Sequence, residues 1–161
     1  MSSVFKNASY DISIEPGRYL VANAGVLITK ILTSKSNGSV NFLITDAGMQ
    51  TFLRPAIYNA FHKIIALTNN NNDKIEYTVA GPICESSDIL TKKIILSQQQ
   101  AGNYLAICDT GAYGSVMSSN YNTKGLPAEI LVSNDSFFII RNHEKVSNII
   151  ARDIIPDWLK D

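Results

Sequence analysis

Cysteine is nearly absent. Only Cys84 and Cys108 occur in 161 residues, too few for a disulfide scaffold, and a reducing cytoplasm is the simplest compartment for such a chain. Excess charge is also missing: Lys and Arg number 14, Asp and Glu number 14, and the formal net charge is zero. That balance argues against a nucleic-acid or anionic-membrane partner, which would favour a basic surface. No stretch reaches the roughly 18 consecutive apolar residues of a membrane span. The longest hydrophobic run, near residues 26–32, is broken by Thr29 and Lys30. The opening MSSVFKNASYD has no basic segment followed by an apolar one, so it does not read as a secretory signal. His62 and His143 have no further ligand at metal-binding spacing, and no G-x-S-x-G nucleophile elbow is present.

What remains is ordinary globular material. A hydrophobic content of 45% supports a genuine core, and the length fits one domain. Residues 1–10 carry little pattern and read as a leader. Residues 11–14 alternate polar and apolar before Pro16-Gly17, as a short strand ending in a turn does. Residues 18–24 suit a helical turn, and residues 26–34, rich in β-branched side chains, suit a strand. The run KSNGS at 35–39 reads as a hairpin turn, with Asn37 and Gly38 tolerating positive φ, and residues 40–45 return as its second strand. Further strands are expected at 61–67, 76–80, 94–96 and 104–109, with a loop at 69–73 (NNNND) and a turn at 98–102. Residues 129–132 and 136–141 flank Asn134-Asp135 as a second hairpin. Val146, Ile149 and Ile150 recur at helical spacing, with Asn142 as N-cap and Pro156 as stop. The sum is a mainly β domain, a barrel or sandwich of Greek-key type, with a short helix near its start and another at its C-terminus.

Four segments carry polar residues that a β scaffold does not itself require. In Glu15-Pro16-Gly17-Arg18, the glycine lets backbone approach an anion and the arginine offers a fork for phosphate or carboxylate; a Pro-Gly turn with a surface arginine is the plainer reading. Arg54 and Tyr58 stand four apart in LRPAIY, both able to hold a carboxylate, or else a loop arginine and a core-edge tyrosine. Cys84 and Glu85 in GPICESSD offer a proton donor beside a charge, although free cysteines are often inert. Cys108, inside the apolar run YLAIC, reads as inert. In DTGAYGSVMSSNYN, Gly111 and Gly114 bracket Tyr113, marking either a ligand-facing loop or a decorated turn. Each segment is weak alone.

Their order is not. The succession EPGRYLVANAG, DAGM with LRPAIYNAFH, GPICESSD, DTGAYGSVMSSNYN and PAEILV, ending in ARDIIPDWL, resembles the diaminopimelate decarboxylases. These are a branch of the alanine-racemase-fold pyridoxal-phosphate decarboxylases, alongside the ornithine and arginine decarboxylases. The resemblance runs over residues 11–161 and implies the C-terminal β-domain of such an enzyme, which converts meso-diaminopimelate to L-lysine and carbon dioxide. It implies that Glu15, Gly17 and Arg18 meet the cofactor pyridoxal 5'-phosphate, with Arg18 also reaching substrate. Arg54 and Tyr58 would hold the far carboxylate of diaminopimelate, and Glu85 its far ammonium. Cys84 would donate the proton that replaces carbon dioxide, and Tyr113 would touch both cofactor and substrate. In the family, Cys84 and Glu85 would serve the neighbouring subunit's site, so a homodimer is implied.

The resemblance also sets an expectation about what is missing. Family enzymes place a (β/α)₈ barrel of about 200 residues or more before the EPGR segment, whereas fourteen residues precede Glu15 here. None of the ten lysines sits in a segment like the family's cofactor-lysine motif, so no route to covalent cofactor attachment is evident. The expectation is therefore a C-terminal half that supplies clamp and proton donor and is inactive without a barrel half. The alternatives are a non-catalytic remnant, or a binding module that pairs with an intact decarboxylase. Residues 11–30, which would contact the barrel, are expected exposed or rearranged.

Overall fold

The computed structural model describes residues 11–68 and 73–160. The expected leader and residues 69–72 of the expected loop lie outside the described residues. Among the described residues eight strands form: β1 (Leu27–Asn37), β2 (Val40–Thr45), β3 (Ile64–Ala66), β4 (Lys74–Ala80), β5 (Ile89–Ser97), β6 (Tyr104–Ile107), β7 (Glu129–Ser133) and β8 (Ser136–Arg141). The first six make one sheet in the order β3-β6-β1-β2-β4-β5. Every pairing is antiparallel except β2 with β4. The two outer strands curl toward each other, and Gln99, just past β5, donates from Nε2 to the Thr68 carbonyl, just past β3, at 3.2 Å. The result is a mainly β, nearly closed barrel.

β1 is the hinge of this curl. Its first half, Leu27 to Lys30, pairs with β6, while Ile31 to Asn37 pairs with β2. A register shift between Ile31 and Thr33 marks a bulge, the device by which a strand bends from one neighbour to another. Alternation places Thr29 and Ile31 of β1, and Leu43 and Thr45 of β2, inside. They join Phe52, Ile64, Tyr77, Val79, Leu90, Leu96, Leu105 and Ile107 in the core.

The β1–β2 turn is tighter than the sequence predicts. Asn37 pairs with Val40, so the loop is Gly38-Ser39, with Gly38 at φ +59; glycine at the first central position is the type II′ requirement. The second hairpin turns on Asn134-Asp135 as expected, with Asn134 at φ +51. Residues 18–24 form two three-residue 3₁₀ turns, Arg18–Leu20 and Ala22–Ala24. The strand expected at 11–14 does not form: residues 11–17 are exposed and irregular, and no strand among the described residues pairs with them.

Two short α-helices also form among the described residues. α1 (Arg54–Tyr58) has Pro55 in its first turn and ends on Asn59 in the left-handed region, φ 49. α2 (Val146–Ile150) has Lys145, not Asn142, at its N-cap position, with no side-chain cap, because it starts only at Val146, and it ends well before Pro156. The β7–β8 hairpin stands apart from the barrel, with every residue of β8 and most of β7 exposed. Phe137 (75% exposed), Phe138 (71%) and Val132 (68%) leave a large apolar surface open, of the kind that marks an interaction site. Arg141 of the hairpin donates to Ser115 Oγ at 2.8 Å and pairs with Glu129, tying it to the loop after Tyr113.

Candidate functional site

The site grows out of how α1 is held. Before it, residues 48–52 make a turn in which the Thr51 and Phe52 N–H groups both donate to the Gly48 carbonyl, at 2.9 and 2.8 Å. Phe52 is 1% exposed and meets the His62 ring edge-on, with centroids 4.6 Å apart. After α1, His62 is itself buried, with Nδ1 3.0 Å from the Cys108 carbonyl oxygen. Burial is the main cause that lowers the His62 pKa below its ordinary 6.5. The hydrogen bond to Cys108 opposes it, the charges of Arg54 and Arg18 add to it, and Asp109 offsets part. The imidazole is thus neutral, an uncharged peg. With both ends of the helix pegged in the core, the direction of α1 is set, and Arg54 and Tyr58, four residues apart, share one face.

Arg54 stands between two aromatic rings. Its Cζ lies 5.5 Å from the Tyr58 centroid and 5.7 Å from the Tyr113 centroid, within the range of cation–π attraction. Together with Met117 these residues line a cavity of about 370 Å³. Tyr113 reaches it from a loop whose backbone is unusual: Tyr113 itself has φ 57 and Asp109 φ 60. A bulky residue there is a true outlier, tolerated where the surroundings impose it.

The surroundings are the 3₁₀ segment that carries Arg18. Thr110 N–H donates to Gly25 O at 3.0 Å and Gly111 N–H to Ala22 O at 2.9 Å. A Cβ on Gly111 would fall 2.1 Å from the Val21 carbonyl oxygen, and one on Gly25 would fall 2.4 Å from Gly111 Cα. Only glycine permits these backbones to touch. At the same junction a Cβ on Gly17 would lie 3.6 Å from the Tyr113 hydroxyl. The Gly17–Arg18 segment and Tyr113 therefore meet, with Glu15 and Arg18 exposed beside them. The turn at Arg18 spans three residues, too short to gather a helix's worth of N–H groups, so an anion there would rely on the guanidinium and on open backbone.

Cys84 and Glu85 lie elsewhere. Both are exposed on residues 81–88, the loop between β4 and β5. Cys84 Sγ is 3.7 Å from the Asn122 side-chain amide. Glu85 lines a separate cavity of about 600 Å³ with Met49, Gln50, Leu53, Ser87, Ser119 and Tyr121. The structure thus brings Arg54, Tyr58 and Tyr113 together and keeps Glu85 in a different cavity. Asn122, Ser119, Met117 and Tyr121 all lie in the segment DTGAYGSVMSSNYN, yet only Tyr113 stood out by its flanking glycines. Gln50, 4% exposed with Oε1 unpartnered among the described residues, has no local sequence signal, and Asp88 closes the segment GPICESSD without a role of its own being legible there. Among the described residues no three His, Cys, Asp or Glu side chains cluster as metal ligands. No helix among the described residues is long and apolar enough to cross a membrane.

Residues 10–111 match the family model described as pyridoxal-dependent decarboxylase, C-terminal sheet domain. The chain belongs to the pyridoxal-dependent decarboxylases. Within the family it is similar to diaminopimelate decarboxylases. It is 41% identical to that of Aquifex aeolicus over 93% of this chain and 36% of the relative. To that of Haemophilus influenzae it is 45% identical over 88% of this chain and 34% of the relative. The crystal structure of diaminopimelate decarboxylase from M. jannaschii superimposes with a TM-score of 0.86 at 42% identity, covering 90% of this chain and 33% of that one. The chain spans about a third of the length of these relatives. The decarboxylase sheet domain has groups suited to one flank of the pyridoxal cofactor: an arginine beside a bare glycine, and a tyrosine ring. Among the described residues no lysine lines either cavity.

Proposed function

We propose that this domain supplies the substrate clamp and proton donor of a diaminopimelate decarboxylase, turning meso-2,6-diaminopimelate into L-lysine and carbon dioxide. It works joined to a barrel that bears the cofactor lysine and is inactive alone. Pyridoxal phosphate, when bound, supplies the electron sink for loss of carbon dioxide. Arg18, with Glu15 and Gly17, flanks its phosphate side, and Tyr113 faces cofactor and substrate. Arg54 forks the far carboxylate of the substrate, with Tyr58 beside it, as a planar guanidinium suits a carboxylate. Glu85 takes the far ammonium. Cys84 delivers one proton from its S–H to the carbon that has lost its carboxyl group, and solvent reprotonates the thiolate.

The observation that carries this reading is the separation of Arg54 from Glu85 into two cavities. Both would address the same end of one substrate, and a homodimer reconciles the two if the Cys84–Glu85 loop of each copy reaches the Arg54 cavity of the other. A solved relative in complex with L-lysine, the M. jannaschii enzyme, supports a ligand with an ammonium and a carboxylate. Mixing this chain with a barrel-bearing half and pyridoxal phosphate should release carbon dioxide from diaminopimelate; none at any ratio rejects the proposal. The same separation favours a second reading, in which the chain binds an intact decarboxylase and lends it Cys84 and Glu85. Saturable association with the intact enzyme, without activity in the mixed halves, would select it.

A further inference from the structure

Asp88 is the most deeply buried carboxylate near the site, at 2% exposure, and it sits at the join of two segments that are far apart in sequence. Its Oδ1 accepts from the Met49 N–H at 2.6 Å, and its Oδ2 accepts from the Ile83 N–H at 2.8 Å. Its own backbone closes the loop, since Asp88 N–H donates to Glu85 O and Asp88 O accepts from Gly81 N–H, both at 3.0 Å. Beneath the carboxylate two glycines touch. A Cβ on Gly81 would lie 2.3 Å from Gly48 Cα and 2.4 Å from both carboxylate oxygens. Nothing larger than hydrogen fits on either side of this contact.

We propose that Asp88 is a positioning residue whose carboxylate clasps the loop carrying Cys84 and Glu85 to the turn leading into α1, so that the proton donor and the ammonium reader are presented at one fixed place on the domain. The clasp needs a carboxylate and not merely a polar group of that size. Two N–H donors from different segments face its two oxygens, so both oxygens must accept. Asparagine has one acceptor, and its amide nitrogen would confront the other N–H, leaving a buried donor unpaired. Burial raises the pKa of Asp88 and Glu85 raises it further, while the Ile83 and Met49 N–H groups oppose the rise. The two N–H groups thus offset part of the penalty that burial places on the ionised carboxylate. The geometric clasp stands by itself; its consequence for turnover rests on the decarboxylase reading.

Amide exchange and chemical shifts of the ¹⁵N-labelled chain test it without any catalysis, so failure of the decarboxylase reading leaves this result intact. In Asp88→Asn and Asp88→Ala the Met49 and Ile83 amides should exchange about tenfold faster or more. The Cys84 and Glu85 resonances should shift, while amides of β1, β2 and β6 keep their protection. A residue that served stability alone would lower the melting temperature and leave the Cys84 and Glu85 shifts of the folded chain in place. That outcome, or wild-type protection of Met49 and Ile83 in Asp88→Asn, overturns the proposal. If neither variant folds, acid titration of the wild-type chain decides. The Met49 and Ile83 amide shifts should follow the ¹³C shift of the Asp88 carboxyl in one transition, and independent movement rejects the clasp.

Discussion

Replacing Gly111 by alanine should undock the Arg18 segment from the Tyr113 loop while leaving the barrel folded. The added methyl would stand 2.1 Å from Val21 O, 2.9 Å from Gly25 N and 3.1 Å from Ala22 O, where ordinary contact begins at 3.4 Å. All three obstacles are backbone, so no side chain can swing aside. Overpacking of this kind costs about 1–3 kcal/mol. Separation also breaks the Thr110–Gly25 and Gly111–Ala22 hydrogen bonds, worth about 0.5–1.5 kcal/mol each. Those bonds are lost on opening in either protein, so the variant weakens docking by the strain alone, about 1–3 kcal/mol. Because neither 3₁₀ turn contains a buried residue, letting that segment go is cheaper than straining the core. Opening should rise by about thirtyfold, the equivalent of roughly 2 kcal/mol. Hydrogen exchange at Thr110 and Gly111, and the rate of tryptic cleavage after Arg18, read it directly. Unchanged exchange and cleavage in Gly111→Ala would refute the close contact and with it the meeting of Arg18 and Tyr113.

Two further outcomes follow from the pegs on either side of α1. Phe52→Ala empties a site that is 1% exposed and should cost about 3–5 kcal/mol, lowering the melting temperature by roughly 6–20 °C for a chain of this size. His62 is neutral in the folded chain, because burial holds its pKa below the ordinary 6.5. Below that pH the unfolded chain gains a proton that the folded chain refuses. Stability from this group is thus complete above about pH 6.5 and falls as the pH drops toward the folded pKa. Urea denaturation at pH 7.5 and 5.5 should show the loss, and His62→Asn should remove most of the difference.

Much of the barrel is written locally. Residues 40–45 form β2 with both ends as expected, because β-branched alternation after a glycine turn leaves few other conformations. Asn134-Asp135 likewise dictates its own hairpin. β5 was harder to see, because Lys92 and Lys93 interrupt its apolar run; Lys93 turns to φ 56 at an irregular stretch of the β4–β5 pairing. The strand expected at residues 11–14 has the right alternation but no partner strand among the described residues, and alternation without a partner makes no sheet. α1 escaped notice since Pro55 argues against a strand and five residues give no helical period. In the site, residue type points to Arg54, Tyr58, Cys84, Glu85 and Tyr113, while the placing of Arg54, Tyr58 and Tyr113 at one cavity and Glu85 at another depends on contacts between segments far apart in sequence. Asp88 closes the segment GPICESSD, but its role is not legible there, because one of its partners, Met49, lies 39 positions away.

The division into two cavities is the centre of this account, and a crossing of variants measures it. Reconstituted with a barrel-bearing half, Cys84→Ala and Arg54→Ala should each be nearly inactive in releasing carbon dioxide from diaminopimelate. If the Cys84–Glu85 loop serves the other copy's Arg54 cavity, mixing the two variants creates one intact site in each mixed dimer, and activity should recover to about a quarter of wild type. A mixture as inactive as its components, beside an active wild-type pair, would mean that one chain's residues act within a single site, and the account would be contradicted.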